Sequence, residues 1–169
     1  RYALFADTTR ESCMTTTTIA TLQAIYLLKD LDTDTLGVVA QAASTDTFDA
    51  GEDVCREGQS AGGLYLISSG SVRVTKSGAD ADVVMLGSGS HFGEVSLVDD
   101  APRSATVTAN ERSIIIKIDA GTLHQKLAAN TAAGAVFYRA VAKSLAKRLR
   151  TTTDDLAFAR QLALEHHRR

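Results

Sequence analysis

The sequence predicts a mainly β domain of jelly-roll type, with helices on both sides of it. Two patterns carry this prediction. Between Thr47 and Ile118, short apolar runs alternate with glycines, which is typical of many short strands joined by tight turns. Before and after this stretch, apolar residues recur at the three- and four-residue spacing of helices. The chain has 169 residues and is 44% hydrophobic, which suits one domain with its own core.

The N-terminal region, residues 14–46, is predicted to be helical. Helical spacing runs from Thr17 to Lys29 and again from Asp32 to Ala43, with Asp32 or Thr33 as the N-cap of the second helix. Residues 1–13 precede Met14 and show no period, so we interpret them as a tag or a lead segment. The His166-His167 pair near the other end is interpreted in the same way, as a vector-derived tail.

The β region is predicted over residues 47–118. Its candidate strands are Val54-Cys55, Leu64–Ile67, Val72–Val74, Val83–Leu86, Ala105–Val107 and Ile114–Ile116. After residue 118 the helical period returns, which predicts C-terminal helices over residues 119–169. The apolar stripe of that region comprises Val136, Phe137, Ala140, Val141, Leu145 and Leu149, with Lys143, Lys147, Arg148 and Arg150 on the other faces.

One loop carries the chemistry expected of a binding site. Gly93 and Glu94 are followed, after a short acidic segment, by Arg103 and Ser104. Glycine lets the backbone approach an anion, and arginine offers a planar, permanently charged fork to its oxygens. A carboxylate cannot bind an anion, but it accepts hydrogen bonds from a hydroxyl. The loop therefore predicts a site for a small sugar phosphate.

This loop resembles the phosphate-binding cassette of the cyclic nucleotide-binding domain family. The segment from Phe92 to Ala109 has the spacing of that cassette, and Val54–Gly70 is similar to the early strand pair of the family. The resemblance implies a double-stranded β-helix, the jelly roll of this family, with the cassette at residues 92–105. It also implies that cAMP or cGMP is the ligand. The residues implied to contact it in the cassette are Phe92, Gly93, Glu94, Val95, Ser96, Arg103, Ser104 and Ala105.

The resemblance also assigns roles to individual residues. Arg103 is expected to pair with the cyclic phosphate, and Glu94 is expected to accept from the ribose 2′-hydroxyl. A serine after the arginine, here Ser104, resembles the catabolite activator proteins and favours cAMP over cGMP. In those activators a polar pair on the long helix contacts the base from both subunits of a dimer, which makes Thr152 and Thr153 the candidate base contacts.

The same helix implies a homodimer. Its candidate seam residues are Leu145, Leu149, Leu156 and Phe158. The resemblance therefore implies a regulatory sensor in which ligand binding moves the C-terminal helix. No DNA-binding or kinase segment is recognisable in the sequence, so a separate effector protein is the expected reader of the signal.

Composition excludes several other classes. The net charge of −2 gives no general attraction to nucleic acid or membrane, and no apolar run is long enough to span a bilayer. The two cysteines, Cys13 and Cys55, lie in different contexts, so we expect no disulfide and a reducing, cytoplasmic compartment. His91 and His124 lack metal-ligand spacing. We therefore predict no metal site and no enzymatic activity of the related cupin type.

Two alternatives remain open at this stage. The chain could be a non-binding relative in which the fold acts as a dimerisation or docking module. It could also be a truncated cAMP-dependent transcription regulator. Gly93, Glu94 and Arg103 stand together in the sequence, which favours the binding hypothesis over the first alternative.

Overall fold

The computed structural model describes residues 19–78 and 84–166. The interpretations of residues 1–13 and of His167 lie outside these residues. The helices and strands, in chain order, are α1 Ile19–Gln23, α2 Thr33–Ala40, β1 Ala43–Phe48, β2 Asp53–Cys55, β3 Gly63–Ser69, β4 Ser71–Thr75, β5 Val84–Gly87, β6 His91–Phe92, α3 Glu94–Asp99, β7 Thr106–Ala109, β8 Ser113–Asp119, α4 Ala120–Ala129 and α5 Thr131–His166.

The strands form two four-stranded antiparallel sheets, so the predicted jelly-roll class is confirmed. One sheet has the order β1-β8-β3-β6 and the other has the order β2-β7-β4-β5. Strand β8 is central in the first sheet, where Ile118 pairs with both Ala43 and Leu64. Neighbouring residues of this strand point to opposite faces, as strand geometry requires.

This alternation divides the core into two parts. Ile115 faces the opposite sheet, in a cluster that fills the interior of the β-roll. Its neighbour Ile116 faces outward, into a second cluster between the sheet and the helices. The helical residues of this second cluster include Leu36, Leu123 and Phe137, all fully buried. The helices are therefore attached to one face of the β-roll.

The N-terminal helices differ from the prediction in length. Asp32 is the N-cap of α2, and its carboxylate accepts from the amide and the hydroxyl of Thr35. Helix α1, however, ends at Gln23, whereas helical spacing predicted a helix to Lys29. Residues 24–31 form successive turns, and the Tyr26 amide donates to the carbonyl of Gly89. The apolar spacing of this segment reflects burial against the core, not a continuous helix.

The sheet begins earlier than the predicted boundary at residue 47. Strand β1 starts at Ala43, within a stretch that was predicted to be helical. Its residues from Ser44 to Thr47 are all polar, so it lacks the alternation that identifies a strand. It forms because its backbone pairs with β8 along its whole length. Strand β6 has two residues, too few for any periodicity.

Helix α3 buries one side only. Glu94, Ser96 and Leu97 are buried, whereas Val98 is 51% exposed. Val98 is therefore not part of the core, although it is apolar. Leu97 does pack into the cluster beneath the helices.

Helix α5 has two parts with different environments. Up to Leu145 it packs on the core through Ala133, Phe137, Val141 and Ser144. From residue 146 to residue 165 every side chain is exposed. The predicted apolar stripe is thus right for Phe137 and Val141, but Leu149 is 68% exposed.

Candidate functional site

A cavity of about 640 Å³ lies between the β-roll and α5. The cassette loop and helix α3 form its floor. Strand residues Cys55, Val74, Leu86 and Val107 form an apolar wall. The opposite wall is α5, which contributes Ser144, Lys147, Arg148, Thr151, Thr152 and Asp155.

The glycine of the cassette shapes the floor. Gly93 adopts φ +88°, a left-handed conformation, immediately before α3. A Cβ atom at this position would collide with the guanidinium of Arg103. Glycine is therefore required both for the backbone turn and for the close approach of the arginine.

Arg103 is held by main-chain carbonyls. Its Nη2 donates to the carbonyl of Gly63 at 2.6 Å, and its Nη1 donates to that of Gly93 at 3.3 Å. The guanidinium carbon lies 5.1 Å from the centre of the Tyr65 ring, and that ring stacks on Phe92. The residue is only 5% exposed. Among the described residues, no carboxylate forms an ion pair with it.

The backbone of Arg103 links the two segments on which the predicted site depended. Its amide donates to the carbonyl of Gln59, and its own carbonyl accepts from the amide of Gly58. The early glycine-rich segment therefore fixes the position of the arginine. Burial raises the pKa of the nearby Cys55 thiol and of the Tyr65 phenol, so both are neutral at ordinary pH.

Glu94 is fully buried at the start of α3 and faces α5. Its Oε1 accepts from Nη1 of Arg148 at 2.5 Å. The other nitrogen of that guanidinium, Nη2, donates to the carbonyl of His91 at 2.5 Å. Glu94 Oε2 has no hydrogen-bond partner among the described residues. The carboxylate thus retains one acceptor atom for another donor.

Sequence reasoning missed Arg148. It placed this residue among basic side chains that decorate the helix surface. Its spacing contained a usable signal, because Arg148 precedes Thr152 by four residues and so lies on the same face of α5. Thr151, Asp155 and Tyr26 also line the cavity without having been predicted.

His91 lies at the junction of β6 and α5. It is 3% exposed, its Nε2 lies 3.0 Å from the Ser144 hydroxyl, and its Nδ1 has no partner among the described residues. Burial, together with the nearby charge of Arg148, lowers the pKa of His91 to about 4. The imidazole is therefore neutral near pH 7.

The other predicted residues divide into two groups. Thr152 lines the cavity together with the predicted cassette residues Phe92, Val95, Ser96, Ser104 and Ala105. Thr153 is not part of the lining. Its hydroxyl donates to the Leu149 carbonyl at 2.8 Å, a bond within the helix.

The described residues give no support for metal binding or for a membrane-spanning helix. Within residues 19–78 and 84–166, no three histidine, cysteine or acidic side chains come together as metal ligands would. No helix in these ranges has both the length and the apolar character needed to span a bilayer.

The cavity therefore combines a buried cation with a buried carboxylate that has one open acceptor. A cation of this kind holds an anionic group, and an acceptor of this kind holds a hydroxyl. Together with the jelly roll, these features define a domain that binds a small ligand carrying both groups. The family model of the cyclic nucleotide-binding domain matches residues 45–130, and the chain belongs to this family.

The curated relatives include a regulatory subunit of a cAMP-dependent protein kinase and a cGMP-dependent protein kinase. A cAMP-dependent protein kinase regulatory subunit from Yarrowia lipolytica is 37% identical over 91 residues, 54% of this chain and 24% of the relative. Human cGMP-dependent protein kinase 2 is 31% identical over 109 residues, 62% of this chain and 14% of that protein. The chain thus spans a quarter or less of the length of these relatives.

Solved structures share the fold over most of the chain. The N-terminal domain of a transcriptional regulator from Streptomyces coelicolor has 27% identity and a TM-score of 0.65, covering 79% of this chain and 95% of that one. The catabolite activator protein of Thermus thermophilus has 25% identity and a TM-score of 0.66, covering 78% and 62%. The regulatory subunit of a cAMP-independent protein kinase A from Trypanosoma brucei has 29% identity and a TM-score of 0.59, covering 65% and 42%.

Proposed function

We propose that this chain is a cytoplasmic sensor domain that binds cAMP in preference to cGMP. The observation that carries the proposal is the state of Arg103. Its guanidinium is buried against the cavity and has no anionic partner among the described residues. A buried charge is costly unless it is paired, so this position favours an anionic ligand. The cyclic phosphate supplies that anion.

Glu94 further restricts which ligands fit the cavity. The open Oε2 accepts a hydrogen bond from the ribose 2′-hydroxyl, while Arg148 orients the carboxylate through its bond to Oε1. Ser96 and Ser104 line the same part of the cavity and contribute further donors to the phosphate oxygens. A free phosphate ion would satisfy Arg103 but would leave Glu94 facing an anion, which disfavours it.

The base lies toward α5. Thr152 is the first contact there, and Thr153 reaches the base only if its bond to Leu149 opens or if it acts from a second subunit. The preference for cAMP rests on the resemblance of Ser104 to the activators. The curated relatives include both a regulatory subunit of a cAMP-dependent protein kinase and a cGMP-dependent protein kinase, so they do not decide this preference.

Ligand binding is coupled to α5 through Arg148. This residue joins the helix to Glu94, the carboxylate that also receives the ribose hydroxyl. The ligand therefore contacts both walls of the cavity and shifts the population of α5 positions according to its affinity for each. The exposed part of α5 forms a homodimer, and a separate effector protein reads the change. The chain itself regulates and does not catalyse.

Titration calorimetry with cAMP and with cGMP tests the proposal. We expect both to bind at one site per chain, with cAMP the tighter. AMP serves as the control, because it presents a phosphate and a ribose without the cyclic ester. The paired variant Thr152→Ala, Thr153→Ala should change the ratio of the two affinities. An unchanged ratio would show that these threonines do not contact the base. Tighter binding of cGMP than of cAMP would reverse the proposed preference.

A second candidate function has its own support. Both key side chains already have protein partners, since Arg103 bonds two carbonyls and Glu94 bonds Arg148. The trypanosome relative is described as cAMP-independent. The fold could thus serve as a docking or dimerisation module without a ligand. A ligand at about a hundred times its Kd adds about 2.7 kcal/mol to stability, so thermal unfolding separates the two functions. No stabilisation at millimolar cAMP or cGMP would favour the module.

A further inference from the structure

A second groove lies on the side of α5 that faces the N-terminal segment. It has a volume of about 450 Å³ and runs between residues 26–31 and residues 136–144. Buried Leu27 and Leu31 lie along one side of it, and Ala140 lies opposite. The rim exposes Tyr26 (48%) and Val136 (39%). The groove is thus concave with an apolar lining.

The rim is strongly basic. Lys29, Arg139 and Lys143 line the groove, and Asp30 is the one acidic residue in its lining. Lys147 continues the row on α5, where its Nζ lies 4.5 Å from the centre of the Tyr26 ring and 3.1 Å from its hydroxyl. Residues 120–153 contain six lysines and arginines and no acidic residue, although the whole chain has a net charge of −2.

Within the described part of the chain, the positive charges of this basic row are not neutralised by ion pairs. Arg139 and Lys143 form no ion pair there. Residues 139, 143 and 147 are four apart, so their side chains lie on the same face of α5. Like charges at this spacing repel each other and destabilise a helix. A partner with negative charge would remove this repulsion.

We infer that this basic groove docks an acidic, amphipathic segment of a partner protein. The concave apolar lining fits the nonpolar face of a short helix, and the rim cations fit acidic side chains on either side of that face. A flat bilayer would not fill a concave groove. A nucleic acid would use the charges but leave the apolar lining uncovered. The groove adjoins the ligand cavity, since Tyr26 and Ser144 line both, but Arg139 and Lys143 lie outside the cavity and the inference does not require it to be occupied.

The groove also lies where a movement of α5 would affect a docked partner. Its α5 wall is the same helix that Arg148 joins to the cassette, on a different face. Its other wall is the segment that contacts the β5–β6 turn through the Tyr26 amide. A change in the position of α5 would therefore alter the distance between the two walls.

A synthetic peptide tests the inference. We would use a fluorescein-labelled peptide of about 15 residues, with leucines at helical three- and four-residue spacing and glutamates elsewhere. Fluorescence anisotropy with the full chain should show saturable binding. The variant Arg139→Glu, Lys143→Glu should weaken it at least about tenfold. The matched control Lys76→Glu, Arg112→Glu has the same net charge but alters exposed residues outside the groove, and it should bind within about twofold of the original chain.

Hydrogen exchange and two competing probes complete the test. The peptide should protect residues 26–31 and 136–144 from exchange, while circular dichroism checks that each variant is folded. Equal binding of a scrambled peptide of the same composition would overturn the inference, because the apolar pattern would then be irrelevant. Equal affinity in both charge variants would overturn it as well. So would duplex DNA or phosphatidylserine vesicles that bind more tightly than the peptide and depend on Arg139 and Lys143.

Discussion

Arg103 is the residue on which the proposed binding of a cyclic phosphate most depends. Arg103→Ala removes the cation that faces the cavity, and loss of such a charge pair costs about 2–5 kcal/mol of binding free energy. The affinity for cAMP should therefore fall by about thirtyfold or more. Calorimetry measures this loss, with Arg112→Ala on the exposed β7–β8 turn as the control.

A second substitution separates charge from geometry at the same position. Arg103→Lys keeps the positive charge but not the planar fork that bonds Gly63 and Gly93. It should bind cAMP more weakly than the original chain and more tightly than the alanine variant. Unchanged affinity in both variants would mean that the phosphate is held elsewhere.

Arg148 should matter for stability before any ligand is added. Arg148→Ala leaves the buried Glu94 without its charged partner, and an unpaired buried polar group costs about 1–3 kcal/mol or more. Chemical denaturation should detect this loss. Arg150→Ala, two residues along the same helix, touches neither Glu94 nor His91 and should change stability by less than about 0.5 kcal/mol. Equal losses in the two variants would show that the Glu94 pair contributes nothing.

These residues also show what sequence can predict about a site. Gly93, Glu94 and Arg103 stand within one loop, so their spacing in the chain reflects their proximity in space. Arg148 lies 54 residues from Glu94, and no local pattern encodes that contact. The docking of α5 on the core creates it. The sequence therefore predicted the floor of the cavity well and the opposite wall only at Thr152.

At the scale of elements, glycine-bounded apolar runs identified most of the strands. The wrong predictions, for β1 and for residues 24–31, have a common cause: tertiary contacts determine the structure there more than the local sequence pattern does. Strand β1 is polar and exists through its pairing with β8, and residues 24–31 have helical spacing because they cover the core. The long C-terminal helix was predicted correctly. Its apolar stripe did not predict burial from residue 146 onward, because every described side chain there is exposed.

The junction of β6 and α5 predicts a pH dependence. Because the pKa of His91 is about 4 in the folded chain and about 6.5 when unfolded, the unfolded state binds more protons between these values. Stability should thus be complete above about pH 6.5 and fall by up to about 3 kcal/mol as the pH approaches 4. Denaturation at several pH values measures the slope, which His91→Gln should remove.

Three aspartates predict a change of stability in a separate pH range. Hydrogen bonds lower the pKa values of Asp32, Asp53 and Asp119: the two N-cap residues accept from Thr35 and Thr122, and Asp53 accepts from the Thr108 hydroxyl and from Arg56. Their contribution is present above their ordinary pKa near 4 and is lost below it. A stability loss confined to pH values below 4, with no slope between 4 and 6.5, would contradict the role given to His91.

At the scale of the whole molecule, the two halves of α5 depend on different partners. The first half is held by the core, whereas the exposed residues after 146 contact the rest of the chain mainly around the cavity. Cyclic nucleotide should therefore increase hydrogen-exchange protection in residues 146–155 more than in residues 133–145. Equal changes in both ranges would mean that the ligand does not act through this part of the helix.

The exposed half of α5 lacks packing against the core, and tertiary packing supplies most of the stability of helices in proteins, so a second copy of the chain would stabilise it. Leu145, Leu149, Thr152 and Leu156 follow each other at four-, three- and four-residue intervals, the spacing of a two-helix seam. Phe158 is two residues from Leu156 and lies on another face, so we exclude it from the seam.

Substitutions at that seam test the proposed dimer. Leu149 and Leu156 are 68% and 49% exposed, and covering the exposed part of each side chain in a dimer stabilises it by about 1–2 kcal/mol. The variant Leu149→Lys, Leu156→Lys should raise the dimer Kd more than about a hundredfold. Sedimentation velocity measures this change, and circular dichroism should show a parallel loss of helix. The control Ala157→Lys, Gln161→Lys adds the same charge on the opposite face and should remain dimeric. A monomeric original chain, or equal dissociation of the two variants, would show that α5 is not the dimer interface.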